Sequence, residues 1–154
     1  MNATVLEHSK NNGAIFLDAD GCYKIRVKAH AALTALRPYS IGFNGTDWVT
    51  AALASAAKYQ FVGVPLGSVA SGAYANLVIG GEVDNVVVPN ATHTAGHGIK
   101  IHAGAVTQES ASYIANATYL HDWAVSMETQ TAAATALKMF LVQHITGMRL
   151  ATTA

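Results

Sequence analysis

Residues 61–81, FVGVPLGSVASGAYANLVIGG, constrain the fold of this chain more than any other stretch. Val62, Val64 and Leu66 alternate with smaller residues, the period of two that a half-buried strand imposes because successive side chains leave opposite faces. Gly67 and Ser68 open a small-residue turn that runs to Ser71-Gly72, and Leu77-Val78-Ile79 resumes as an apolar strand before Gly80-Gly81. The pattern predicts a hairpin. Residues 122–142, DWAVSMETQTAAATALKMFLV, echo it: Trp123, Val125 and Met127 alternate, residues 128–135 stand where the turn was, and residues 137–142 form the return strand.

Each hairpin follows a shorter extended piece ending in Val-Thr. Before the first lie YSIGF at 39–43, the turn Asn44-Gly45-Thr46-Asp47, and Trp48-Val49-Thr50; before the second lie Ile99-Lys100-Ile101-His102, the turn Ala103-Gly104-Ala105, and Val106-Thr107. The Val-Thr pairs are 57 residues apart, and matching Val62 to Trp123 sets the hairpins 61 apart. A weak duplication of one β-unit, residues 39–81 and 99–142, fits this spacing. The extra residues fall in the 112–118 loop.

The 154 residues suffice for one domain with a real core. The organisation expected is an N-terminal arm over 1–13, a single β domain over 14–147, and a C-terminal tail over 148–154. Cys22 has no partner for an internal disulfide. No apolar run approaches bilayer length, and the opening MNATVLEHSKNNG lacks the charged-then-apolar order of a signal peptide, so neither a membrane nor the secretory route is expected. Charge is more telling. Charged residues make up 12% of the chain, against roughly 25% in an ordinary domain, while the net charge is zero and 51% is apolar. Such a surface suits burial against other protein, although Ala, Thr, Ser, Asn and Gly can also keep a weakly charged surface in water. Nine basic residues scattered among nine acidic ones leave no electropositive footprint for nucleic acid.

Residues 22–29 carry the cleanest alternation. Tyr23, Ile25 and Val27 interleave with Lys24, Arg26 and Lys28, which places three cations on one strand face. Two readings are open: a docking stripe for an acidic surface, or a solvated face that discourages edge pairing. Asp18-Ala-Asp-Gly21 reads as the hairpin turn before it, since the remaining ligands of a calcium loop are missing. Residues 29–36 suit a short helix or an extended segment equally. Residues 50–59, TAALASAAKY, are the best helical stretch, with Thr50 as a candidate N-cap. Residues 82–89 read as a separate strand ending at Pro89. Many short strands, Gly-bearing turns and little helix predict a mainly β fold, an antiparallel barrel or sandwich with one or two short helices.

Chemistry finds little support. His93, His97 and His102 lie close in sequence, but Gly96 and Gly98 flank His97 and no acidic neighbour completes a metal set. Ser68 and Ser71 lack a nucleophile elbow, and Cys22 follows two acidic residues that oppose a low thiolate pKa. No catalytic residue or cofactor is expected. Tyr23, Tyr39, Phe43, Trp48, Phe61, Trp123 and Phe140 fall on strands and read as core anchors, whereas Tyr59, Tyr74, Tyr113 and Tyr119 lie near strand ends or loops and read as interface residues. Asn2 and Lys10 of the arm, with Lys24, Arg26 and Lys28, complete the interface candidates.

The string VGVPLGSVASGAYANLVIGGEV, then GHGIKIHAGAVTQ, then WAVSMETQTAAATALKMFLV resembles the small capsid-associated decoration, or cement, proteins of tailed phages. Residues 62–66, Ser71-Gly72, and residues 77–81, 98–107 and 124–141 occupy the places of that family's strands and turns. Trp123 and the Thr and Ala residues of the second turn depart from it, and the N-terminal third shows no match. The resemblance implies a β-tulip-like or barrel-like body, a homotrimer without catalysis or cofactor. It also implies a place on the outer surface of an icosahedral virion, after assembly in the host cytoplasm, where such a body bridges copies of the major capsid protein and stabilises the expanded head. Two rivals stand beside it. One is a tail-tube or head-completion protein, which forms rings or hexamers; the other is a small β-barrel that binds a ligand or metal through His93, His97 and His102.

Overall fold

The computed structural model describes residues 11–52, 61–88, 92–102, 105–108, 123–130 and 135–142, with backbone alone at residues 61, 100–102 and 105–108. Its strands are β1 (Ile15–Leu17), β2 (Tyr23–Lys28), β3 (Tyr39–Phe43), β4 (Trp48–Ala51), β5 (Phe61–Pro65), β6 (Tyr74–Val87), β7 (Gly98–His102), β8 (Ala105–Gln108), β9 (Ala124–Ser126) and β10 (Ala136–Val142). They form one sheet in the order β1-β2-β4-β3-β5-β6-β10-β9-β7-β8, and β2 pairs again with β6. That second pairing closes β2, β4, β3, β5 and β6 into a five-strand barrel. The mainly β fold expected from the alternation is the fold observed.

The two faces of the strands build two cores. Ile25 and Val27 of β2, Ile41 of β3, and Ala75, Leu77 and Ile79 of β6 fill the barrel with Ala29 and Leu33. Val62 and Val64 of β5 and Val78 of β6 point the other way and join Val83, Val86, Ile99, Ala124, Leu137, Met139 and Leu141 in the second core. Pleating alone sends neighbours such as Leu77 and Val78 into different cores. Trp123, in the second core, buries an indole Nε1 that has no hydrogen-bond partner among the described residues.

One strand, β6, serves both. The sequence pattern separates residues 77–81 from 82–89, but the chain runs through Gly80-Gly81 as a single strand of 14 residues. A bulge makes this possible: Lys24 pairs with Val78 and Tyr23 with Gly80, so Ile79 and Gly80 together oppose Tyr23. Gly81 follows at φ 110°, a left-handed conformation that suits glycine. Beyond the bulge, Val83 and Val86 face the second core although Val78 has the opposite parity to Val83. A second irregularity lies where β10 passes Asp84 and Asn85, with Asn85 at φ 58°.

Both expected hairpins are present. β5 and β6 pair at Val64↔Val78, and β9 and β10 at Ser126↔Met139, both antiparallel. The pieces before them are hairpins too, β3 with β4 and β7 with β8. Pairing therefore runs β4-β3-β5-β6 in one half and β8-β7-β9-β10 in the other, and the halves meet where β6 lies antiparallel to β10. Matching the registers sets Val62, opposite Ser40, beside Ala124, opposite Ile99. This is one residue away from the Val62–Trp123 match that the sequence pattern suggests. A slip of one flips faces, and accordingly Ala124 and Ser126 are buried while Met127 is exposed.

Helix expectations fare differently. Among the described residues no helix occurs: Thr50 and Ala51 end β4 instead of capping a helix, and residues 53–60 lie outside the described set. Residues 29–36 form neither a helix nor a regular strand: Leu33 bridges Val69, and the segment ends in a turn with Leu36 at φ 60°. Tertiary pairing outweighs the alanine-rich propensity at Thr50 and Ala51. Residues 11–13, the end of the expected arm, are docked. Asn12 Nδ2 donates to the Trp48 carbonyl, its Oδ1 accepts from the Trp48 amide, and the Gly13 amide donates to Arg26 O. Residues 1–10 and the 148–154 tail lie outside the described residues.

Candidate functional site

The cation stripe of β2 is spent within the molecule. Lys24 is buried, and its Nζ lies 2.6 Å from both Asp18 Oδ2 and Asp20 Oδ2. The turn between β1 and β2 aims both carboxylates there, because the Gly21 amide closes on Asp18 O and the Asp20 side chain accepts from the Cys22 amide. Hydrogen bonds from Lys24 hold both aspartates below the usual carboxylate range, and the pair raises Lys24 against the opposing effect of burial. Arg26 sits over the Tyr74 ring at 5.3 Å, and Lys28 reaches Asp47 at 3.5 Å. Of the stripe, Arg26 and Lys28 remain partly exposed.

Tyr74 is exposed beside Arg26. The candidates Asn2, Lys10, Tyr59, Tyr113 and Tyr119 lie outside the described residues, as does the side chain of His102. His97 is half-buried on the turn before β7, whereas His93 is fully buried in a bridge to Gln130. Among the described residues no three His, Cys, Asp or Glu side chains gather into a metal-sized cluster. The Cys22 thiol is pushed up by burial first and by Asp20 second, and its Sγ reaches Glu82 O at 3.5 Å.

His93 is the odd member of the core. Neither Nδ1 nor Nε2 has a hydrogen-bond partner, and burial lowers the pKa from 6.5, keeping the ring neutral. A depressed histidine pKa means that the unfolded chain takes the proton first. Its share of stability is therefore complete above about pH 6.5 and declines on acidification until the folded ring titrates. His93→Leu is expected to raise the unfolding free energy at neutral pH by about 1–3 kcal/mol, because it removes an unpaired buried polar group. It should also flatten the decline below about pH 6.5. Urea titrations on both sides of that pH check this; an unchanged acid limb in the variant contradicts it.

Between Lys28, His30, Asn44, Asp47 and Ser71, a cavity of about 170 Å³ opens at one end of the barrel. Its polar groups are engaged locally: Lys28 with Asp47, Ser71 Oγ donating to His30 O, and Asn44 Oδ1 accepting from the amides of Thr46 and Asp47. They shape a turn.

The aromatic residues expected in the core divide. Trp123 is buried and Tyr39 and Trp48 half-buried, but Tyr23 is 42% exposed, Phe43 59% and Phe140 44%. These three sit on strands, yet at positions where the sheet face has no cover among the described residues. Phe140 shows why: Leu137, Met139 and Leu141 take the core side of β10, which leaves Lys138, Phe140 and Val142 on the other. Lys138 is the signal in the sequence that marks that side as outward.

Comparison with known proteins adds the fold's relatives. No family of known sequences matches the chain, and neither does any curated protein. Among solved structures, the N base of the head fiber gp8.5 of bacteriophage phi29 is similar, with a TM-score of 0.50 and 9% identity, covering 77% of this chain and 92% of that one. At that identity the likeness is one of fold.

Proposed function

We propose that this chain is a structural protein of a phage head, a β-barrel body that decorates the outer capsid surface, bridges capsomers and stabilises the expanded shell. The observation that carries the reading is the barrel with its appended sheet, a fold shared with nearly the whole base of a head fiber. The resemblance of residues 60–142 to capsid decoration proteins supports the same reading, as does a chain with 12% charged residues and zero net charge. Its partners are the major capsid protein and further copies of itself, and it catalyses nothing. Repeated weak contacts on a symmetric shell supply the avidity such a body needs.

Asn12 and Gly13 belong to the folded body, so the arm proposed to reach a neighbour is cut back from residues 1–13 to residues 1–10. Removing those ten residues is expected to lower occupancy on expanded heads while leaving thermal unfolding of the barrel unchanged. Binding of purified protein to stripped, expanded heads, followed by pelleting, measures this. Failure of the full-length protein to bind such heads contradicts the proposal.

A further inference from the structure

Asparagine followed by glycine is a dipeptide prone to rearrange unaided, because glycine has no side chain to hinder attack by its backbone nitrogen on the asparagine carboxamide. The chain contains two such pairs, Asn12-Gly13 and Asn44-Gly45, and the fold treats them oppositely. Asn12 is clamped to Trp48 through both ends of its carboxamide, and the Gly13 nitrogen that would attack it donates to Arg26 O at 2.7 Å. The Trp48 indole also fills the space where a side chain on Gly13 would begin. Asn44 and Gly45 are instead exposed at the tip of the β3–β4 hairpin. A Cβ on Gly45 would meet nothing within 4 Å, and among the described residues the Gly45 amide donates no hydrogen bond. Asn44 Oδ1, however, is held: it accepts from the Thr46 amide at 2.9 Å and from the Asp47 amide at 2.8 Å.

We propose that Asn44 is a site of spontaneous covalent modification, converting to aspartyl and isoaspartyl forms while Asn12 stays intact. In the first step the Gly45 nitrogen attacks Asn44 Cγ. The N–Cγ bond forms, the Cγ–Nδ2 bond breaks, and Nδ2 departs as ammonia with the proton that the Gly45 nitrogen gives up. The ring left behind is a succinimide, and negative charge gathers on Oδ1 on the way to it. The Thr46 and Asp47 amides already point at that oxygen, so the turn itself supplies a two-donor oxyanion site. Water then opens the ring at either carbonyl, and its hydrogen returns to the Gly45 nitrogen. Addition at Cγ restores the chain with an aspartate side chain; addition at the main-chain carbonyl routes the backbone through Cγ and frees an α-carboxylate. Either product brings a new negative charge to the turn that holds Asp47, whose carboxylate faces Lys28 at 3.5 Å. Phe43↔Trp48 is the last ladder pair before this turn, so the lengthened backbone of the isoaspartyl form falls outside the barrel's pairing. Nothing in this chemistry depends on the capsid reading.

Full-length protein is held folded in mildly alkaline buffer for weeks and sampled by peptide mapping with mass spectrometry. Isoaspartate-specific methylation of the same samples reports the isoaspartyl form. Asn44 is expected to convert at least about tenfold faster than Asn12, since Asn12 must first break out of its clamp by local unfolding. In concentrated urea, where both pairs are free, that gap should close. In Asn44→Gln, whose longer carboxamide would have to close a larger ring, the mass gain in this peptide should disappear. Comparable conversion of Asn12 and Asn44 in the folded protein overturns the proposal. So does an Asn44 that survives in the folded protein over the time in which it reacts in urea, because the turn would then shield it. A mass gain that persists in Asn44→Gln belongs to another residue and overturns the assignment.

Discussion

Gly63→Ala is expected to lower the unfolding free energy by about 1–3 kcal/mol, and Gly63→Val to abolish the cooperatively folded barrel. Gly63 lies on β5 between Val62 and Val64, which face the second core, so position 63 faces the barrel interior. A Cβ there would stand 2.6 Å from Ile41 Cδ1 and 2.8 Å from Leu77 Cβ, closer than real contacts allow. The Ile41 methyl ends a flexible side chain and can turn aside. Leu77 Cβ is fixed to the backbone of β6 and cannot move without shifting the strand. Ile41→Val should therefore recover part, and only part, of the loss in a double variant. Chemical denaturation of the four proteins measures this. A Gly63→Ala variant as stable as the parent, or full rescue by Ile41→Val, contradicts a barrel closed this tightly.

Met139→Ala is expected to cost about 2–5 kcal/mol, whereas Phe140→Ala should stay within about 0.5 kcal/mol in the dilute protein. The contrast is unusual because the aromatic ring is the larger group. Met139 is fully buried between Val83 and Ser126, its register partners, whereas Phe140 is 44% exposed between Glu82 and Val125. Burial, not size, sets the cost. Equal losses at the two positions, or a larger loss at Phe140, would mean that β10 is placed one residue out of register. Measuring Phe140→Ala well below the concentration of self-association separates fold stability from assembly.

Strand positions were legible in the sequence wherever one face is buried and the other wet. β2 reads directly from Tyr23 to Lys28, and the hairpins at 61–81 and 122–142 fall where alternation and small-residue turns put them. The single course of β6 through Gly80-Gly81 was not legible, because two glycines in a row signal a strand end as readily as a bulge. Nor was the outward direction of Val125 and Met127: Ala124 and Ser126 face the core because β10 brings Leu141 and Met139 against them, a contact set by long-range pairing. Lys24 shows the same limit. Three cations at period two read as one exposed stripe, but the Asp18–Gly21 turn folds back over the first of them, burying Lys24 beneath two aspartates that stay open to solvent. The outward side of β10 was legible in part, since Lys138 marks it.

Quantitative mass spectrometry of phage particles purified from cells that make this chain bears most directly on its proposed role. The account predicts that the chain travels with intact heads in a fixed ratio to the major capsid protein, one commensurate with the symmetry of the shell. Heads that carry none of it, from cells that hold it in abundance, would contradict that role.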